Sequence, residues 1–252
     1  MKLTALRRYS LFLFLIVSLS FSGCFHAGFK NIKSDQEALQ LLSTLQTNNS
    51  ALITFKGIGS VKLKSKSRNN ALRLAWAGKS PDKLRLIVLF SGKPIETFAA
   101  DGKRIYLKSH TGQHKFIKHK SSNASLKKLI NIPVTTKEII KLMTGRLPLP
   151  DYRRATLTKS ADGNGWVIDL YRPWRGIVAK VFLNKDKELN GYARIKGDKT
   201  LYSVQLNDFR QLNGFSLPNT ILINTDEASC KIICSKYFTN PDVKPGIFTL
   251  SD

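Results

Sequence analysis

The 252 residues suffice for one substantial domain or two small ones. Forty-one Lys and Arg against 17 Asp and Glu give a formal charge of +24, an excess that bears on partners and solubility and not on fold. The basic residues are spread along the chain, with no RNP-type, zinc-finger or helix-turn-helix pattern to focus them, which argues against nucleic acid as a partner.

Lys2, Arg7 and Arg8 precede an apolar run from Leu11 to Val17, and small residues follow at Ser20, Ser22 and Gly23. The run is far shorter than the ~20 residues of a spanning helix, and the layout is that of a cleavable export signal. Phe21-Ser22-Gly23-Cys24 resembles the lipobox of bacterial lipoproteins, with Phe21 where Leu is usual. In that pattern the cysteine is acylated and becomes the first mature residue. The alternative is an ordinary secretory signal, cut elsewhere, with Cys24 incidental. The resemblance makes residues 1–23 a lipoprotein signal peptide, Cys24 the lipidation site and residues 24–33 a tether to a domain over 34–252. It implies permanent membrane attachment, since stable anchoring takes more than one acyl chain. The signal's charged residues are all basic, so the remainder keeps a formal charge of +21. Anionic headgroups, lipopolysaccharide or an acidic protein suit that charge; a solvated basic surface is the plainer account.

Ser34-Asp35-Gln36-Glu37 reads as an N-cap with an acidic residue three positions on. Ala38, Leu39, Leu41, Leu42 and Leu45 follow at helical spacing, so residues 35–48 are predicted as an amphipathic helix. From residue 52 the period becomes two. Strands are predicted around 53–59, through Leu72, Leu74 and Trp76, and over 81–90, 91–100 and 102–109, with Ser-Pro-Asp, Ser-Gly-Lys and Asp-Gly turns between the later ones. A helical interlude follows at 123–130 and 135–144, split by Pro133 and closed by Gly145, Pro148 and Pro150. Strands resume at 153–159, 165–171, 177–184, 189–196, 200–208, 215–224 and 228–238. The fold class is mainly β (α+β): one open antiparallel sheet of about eleven or twelve strands with three short helices.

Few constellations suggest chemistry. Cys230 and Cys234 share a strand face about 13 Å apart at ~3.3 Å per residue, too far for a disulfide, and are read as buried apolar thiols. His110, His114 and His119 have no cysteine or acidic residue in their segment to complete a metal site, and are read as solvated turn histidines. Ser80-x-x-Lys83 and Ser125-x-x-Lys128 spell SxxK without its companion motifs. Tyr171, Arg172, Trp174 and Arg175 crowd a predicted hairpin tip; they suit a lipid–water interface, or an ordinary surface turn. No Walker A loop, HExxH or dinucleotide fingerprint is present, so an enzyme is not expected and no cofactor or metal is called for.

Three short helices are little cover for so much sheet, and incomplete filling would leave an apolar cavity. Alternation puts Leu72, Leu74, Trp76, Leu84, Leu86 and Val88 on one apolar face, with Ile139, Leu142 and Met143 on the inner side of the second lid helix. These nine are the predicted lining. At residues 84–150 the sequence becomes familiar: LRLIVLFSGKPIETFAADGKRIYL and LKKLINIPVTTKEIIKLMTGRLPLP resemble the outer-membrane lipoprotein LolB and the LolA/LolB-like carriers. The shared features are a strand–hairpin–strand with a Gly after the tip, paired lid helices around Ile132-Pro133, and a Gly-x-x-Pro exit at Gly145 and Pro148. The resemblance implies a half-barrel with a helical lid over a hydrophobic cavity. It implies that acyl chains of lipoproteins bind there and are inserted into the outer membrane. By the same analogy the protein sits at the periplasmic face, with Phe25 where inner-membrane retention needs Asp, and works as a monomer with a LolA-like carrier as a candidate donor. The hairpin Phe90-Ser91-Gly92 departs from the family, which has a Leu where Ser91 stands. Either Phe90 has taken over as the membrane-inserting residue, or this protein does not insert in that way; the plainer reading is that Phe90 continues the Leu84, Leu86, Val88 core face. A non-catalytic adaptor lipoprotein with a basic docking surface is the alternative function.

Overall fold

The computed structural model describes residues 35–66 and 68–252. The export signal, Cys24 and the tether lie outside the described residues. Helix α1 (Gln36–Thr47) buries Ala38 and Leu42, one turn apart, and its N-cap is Asp35, whose carboxylate accepts the Glu37 N–H at 3.0 Å. The cap thus lies one residue beyond the predicted Ser34. The Asp35 N–H donates to the Ala155 carbonyl at 2.9 Å, fixing the helix start to the strand that follows the lid.

Strands β1 (Thr54–Ser65), β2 (Arg68–Lys79), β3 (Lys83–Phe90), β4 (Lys93–Asp101), β5 (Arg104–Ser109) and β6 (Ile117–Lys120) form a meander. After the helices come β7 (Arg154–Lys159), β8 (Trp166–Arg172), β9 (Gly176–Leu183), β10 (Leu189–Lys196), β11 (Lys199–Leu212), β12 (Phe215–Asn224) and β13 (Ala228–Thr239). All thirteen make one antiparallel sheet in the order β6-β5-β4-β3-β2-β1-β13-β12-β11-β10-β9-β8-β7. β1 and β13 pair at its centre, from Phe55↔Thr239 to Ser65↔Ala228. The sheet therefore exceeds the expected eleven or twelve strands. The addition is β6, four exposed residues (IKHK) with no alternation to mark them.

Connectivity explains the lid. The edge strands β6 and β7 are consecutive in sequence, so residues 121–153 must cross from one edge of the sheet to the other. That crossing carries α2 (Lys127–Ile130) and α3 (Thr136–Met143). Helix α3 matches its prediction: Thr135 and Glu138 form a reciprocal capping box, and Ile139, Ile140, Leu142 and Met143 are buried. The predicted 123–130 helix shrinks to four residues. Its first half is extended, held by the Ser125↔Thr135 bridge and the Leu126 N–H to the Val134 carbonyl at 2.7 Å.

Cross-strand register makes one apolar face continuous. Val61 pairs Leu72, Leu74 pairs Val88, Trp76 pairs Leu86, Leu86 pairs Phe98 and Phe98 pairs Leu107. On the other half, Val61 pairs Ile232, which pairs Ile221, which pairs Leu206. Large rings lie flat on this face because glycines face them. A Cβ on Gly78 would sit 2.1 Å from the Phe55 ring, and one on Gly57 2.3 Å from the Trp76 ring. The opposite face of β3 and β4 is covered by the C-terminal segment, where the Arg85 guanidinium donates to the Ile247 carbonyl (3.0 Å) and Phe248 is buried.

Candidate functional site

A cavity of about 1030 Å³ lies between α2 and the apolar face. Phe98, Ile105, Leu107 and Ile117 of β4, β5 and β6 form its floor, with Leu63 of β1 at its side and Leu126, Leu129 and Ile130 as its roof. β1 and β6 are five places apart in the sheet, so their meeting on one cavity requires the sheet to curl around it. The polar residues lining it include Lys64, Lys118, His119 and Lys127, and no carboxylate is among them. The arrangement offers apolar volume with cationic groups at its border.

Of the nine predicted lining residues, six are on the same sheet face and three on helix α3, and none of them lines this cavity. Leu74, Trp76, Leu84, Leu86, Ile139, Leu142 and Met143 are buried in the core, and Leu72 and Val88 are half-buried against it. Helix α3 packs there instead of standing off. The Tyr237 hydroxyl donates to the Met143 carbonyl at 3.0 Å, and its ring stacks on Phe55 (6.2 Å) and leans on Trp76 (6.3 Å). At the helix end, the Asn49 side chain donates to the carbonyls of Thr144 (2.9 Å) and Ser216 (2.7 Å) and accepts the Ser216 N–H (3.1 Å). Gly145, at φ +70°, lets this junction close, since a Cβ there would lie 2.7 Å from the Ser216 carbonyl. Further along the face, Tyr192 donates to the Pro148 carbonyl at 3.1 Å. Burial raises the Tyr192 and Tyr202 phenols far above their ordinary values, so both stay protonated. The sequence signal for the true floor was the alternation of Ile105 and Leu107, which marked a strand without saying that it would be left uncovered.

Two hairpin tips bear on the predictions. Ser91 (φ 48°) and Gly92 (φ 80°) form a two-residue turn between the paired Phe90 and Lys93. Phe90 is 63% exposed. That exposure speaks against Phe90 as a continuation of the core face. At the second tip the Arg175 N–H bonds the Arg172 carbonyl (3.2 Å), Trp174 has φ 63°, and its side chain is 91% exposed.

The remaining constellations resolve into local roles. His114 is half-buried, not merely a solvated turn residue: Glu96, on β4, bonds its Nε2 at 2.9 Å. His110 Nε2 meets the Thr97 hydroxyl at 2.9 Å, and His119 is exposed on the edge strand. Cys230 and Cys234 are free and buried on the apolar face, and burial pushes the Cys230 thiol up to about 12. The Cys234 sulfur is less apolar than expected, since Arg210 donates to it at 3.1 Å. The Ser80 hydroxyl accepts from the Arg146 guanidinium at 2.6 Å.

The chain matches no family model, and no curated protein sequence matches it. Among solved structures it is similar to a DUF1329-family protein from Desulfovibrio piger, with TM-score 0.61 and 7% identity over 86% of this chain and 98% of that one. It is also similar to a LolA superfamily protein from Nitrosomonas europaea, with TM-score 0.55 and 12% identity over 84% of this chain and 97% of that one. At such identities the likeness is one of fold: a mainly β, LolA-like open antiparallel sheet with short helices over its apolar face.

Proposed function

We propose that this chain is a non-catalytic lipid-handling lipoprotein of the bacterial envelope. Anchored through acylated Cys24 at the periplasmic face of the outer membrane, it takes acyl chains of lipoproteins into the cavity beneath α2 and helps insert them into that membrane. A soluble LolA-like carrier is the donor, and the chain acts as a monomer. The observation that carries this reading is the cavity itself: about 1030 Å³, with an apolar floor and a helical roof. That is at the upper end of the ~300–1,000 Å³ of ligand pockets. Each methylene withdrawn from water contributes about 0.8 kcal/mol. Transfer then requires only that the membrane be a better home for the chain than the pocket, so no reacting group is needed. Phe90, exposed at its hairpin tip, is the residue that would meet the membrane first.

The test is binding of cis-parinaric acid, a fluorescent fatty acid, to the purified protein. Saturable binding is expected. The variant Leu107→Trp, which fills the cavity from its floor, is expected to weaken it by about tenfold, or ~1.4 kcal/mol, while remaining folded by circular dichroism. No saturable binding by the folded wild type would remove the lipid reading and leave the adaptor lipoprotein in its place.

A further inference from the structure

The strands alternate in direction, so the hairpin tips alternate between the two rims of the sheet. Following the chain from β1, the turns after β3 and after β8 fall on the same rim. They sit near opposite edges of the sheet: β4 is third from one edge and β8 second from the other. The cavity reaches this rim as well, because its lining includes Leu63, Lys64 and Ser65, where β1 ends.

The second tip places an unusual residue in its turn. Arg172-Pro173-Trp174-Arg175 closes with an i to i+3 hydrogen bond, and a turn with φ > 0 at its third position ordinarily has Gly there. Here that position is Trp174, bulky, left-handed at φ 63° and 91% exposed. A left-handed backbone disfavours a bulky residue at this position. Arg172 and Arg175 are exposed beside it, as Lys93 is beside Phe90. The rim's acidic residues Asp198, Asp226 and Glu227 fall on other turns. An indole between guanidinium groups matches the headgroup zone of a bilayer, where amphipathic rings settle and cations meet anionic lipid.

We infer that the Trp174 hairpin is a second membrane contact, which together with Phe90 sets the cavity-bearing rim against an anionic bilayer surface. This rests on the lipid-delivery reading above and adds a docking geometry to it.

The experiment uses the purified protein and vesicles of equal parts phosphatidylcholine and phosphatidylglycerol, with a doxyl quencher near the headgroup. The Trp174 signal is the wild-type fluorescence minus that of Trp174→Gly, a variant whose φ suits glycine and which is expected to be no less stable on heating. That signal should be quenched by the doxyl lipid and shielded from aqueous acrylamide. In vesicle partitioning of the Cys24→Ser form, Trp174→Gly and Phe90→Ser should each lose about fivefold, and the double variant about the product, as for independent sites. A Trp174 signal unaffected by doxyl lipid and still open to acrylamide would overturn the inference. Parinaric acid binding reports separately on the cavity, so a Trp174 that stays in water while the cavity binds removes only the second contact.

Discussion

His114 is held on both sides. Its Nδ1 meets the Lys115 carbonyl at 2.8 Å and its Nε2 meets Glu96 at 2.9 Å. Both partners accept, so only the imidazolium, with two N–H donors, satisfies both. The backbone bond at Lys115 and then Glu96 raise the His114 pKa above its ordinary value, with burial acting in the opposite direction. A raised folded-state pKa means stability that is fully present below the unfolded value of ~6.5 and lost as pH rises through the folded value. An NMR titration should therefore place His114 above the ordinary midpoint, and Glu96→Gln should bring it down. The stability advantage of wild type over His114→Gln should be greatest in mild acid and fade at alkaline pH. An ordinary midpoint in the wild type would refute the pairing. This contact was not legible in the sequence, because the acid lies 18 residues away and reaches His114 only once β4 is folded. Phe90 was open in the sequence for another reason: it keeps the period of Leu84, Leu86 and Val88, but it stands last in β3 beside the turn, where it is 63% exposed.

Among the elements, those with both a period and a cap were legible. Helix α1 has apolar residues at helical spacing, and α3 adds a Thr135–Glu138 capping box. Helix α2 had neither signal clearly, and its approach through Ala124 and Leu126, both buried, follows a strand's period of two. Strand β6 was invisible because it is an edge with both faces exposed. The junction of α1, α3 and β12 was equally hidden, since Asn49 joins residues 95 and 167 positions away. Asn49 is only 8% exposed, so removing its amide strands carbonyls that water reaches poorly. Asn49→Ala should cost about 1–3 kcal/mol, seen as a lower urea midpoint at an unchanged slope. The loss should be accompanied by faster amide exchange at the end of α3, because Asn49 holds the carbonyl of its C-cap, Thr144. A midpoint unchanged within error would mean that the lid helix is held by its apolar contacts alone.

At the scale of the whole molecule, the sequence identified the apolar face but not where it is filled. Periodicity fixes which side chains point inward, whereas the depth of the helix above them depends on contacts such as Tyr237 with Met143, made across 94 residues. Charge is the other property that belongs to the molecule as a whole. With 41 basic and 17 acidic residues, the positive groups are in excess by 24. Most of that charge acts through solvent, where it is screened over ~10 Å at 0.1 M salt and ~3 Å at 1 M. Docking on an anionic bilayer and uptake into an apolar cavity should thus separate by salt. Association of the Cys24→Ser form with phosphatidylglycerol vesicles should fall by about tenfold or more between those two concentrations, and association with pure phosphatidylcholine should change little. Binding of hexadecanol, which carries no charge, should hold or strengthen over the same range, because it depends on apolar burial. If vesicle association survived 1 M salt undiminished, the basic surface would have no part in docking, and the aromatic hairpin tips would have to account for it alone.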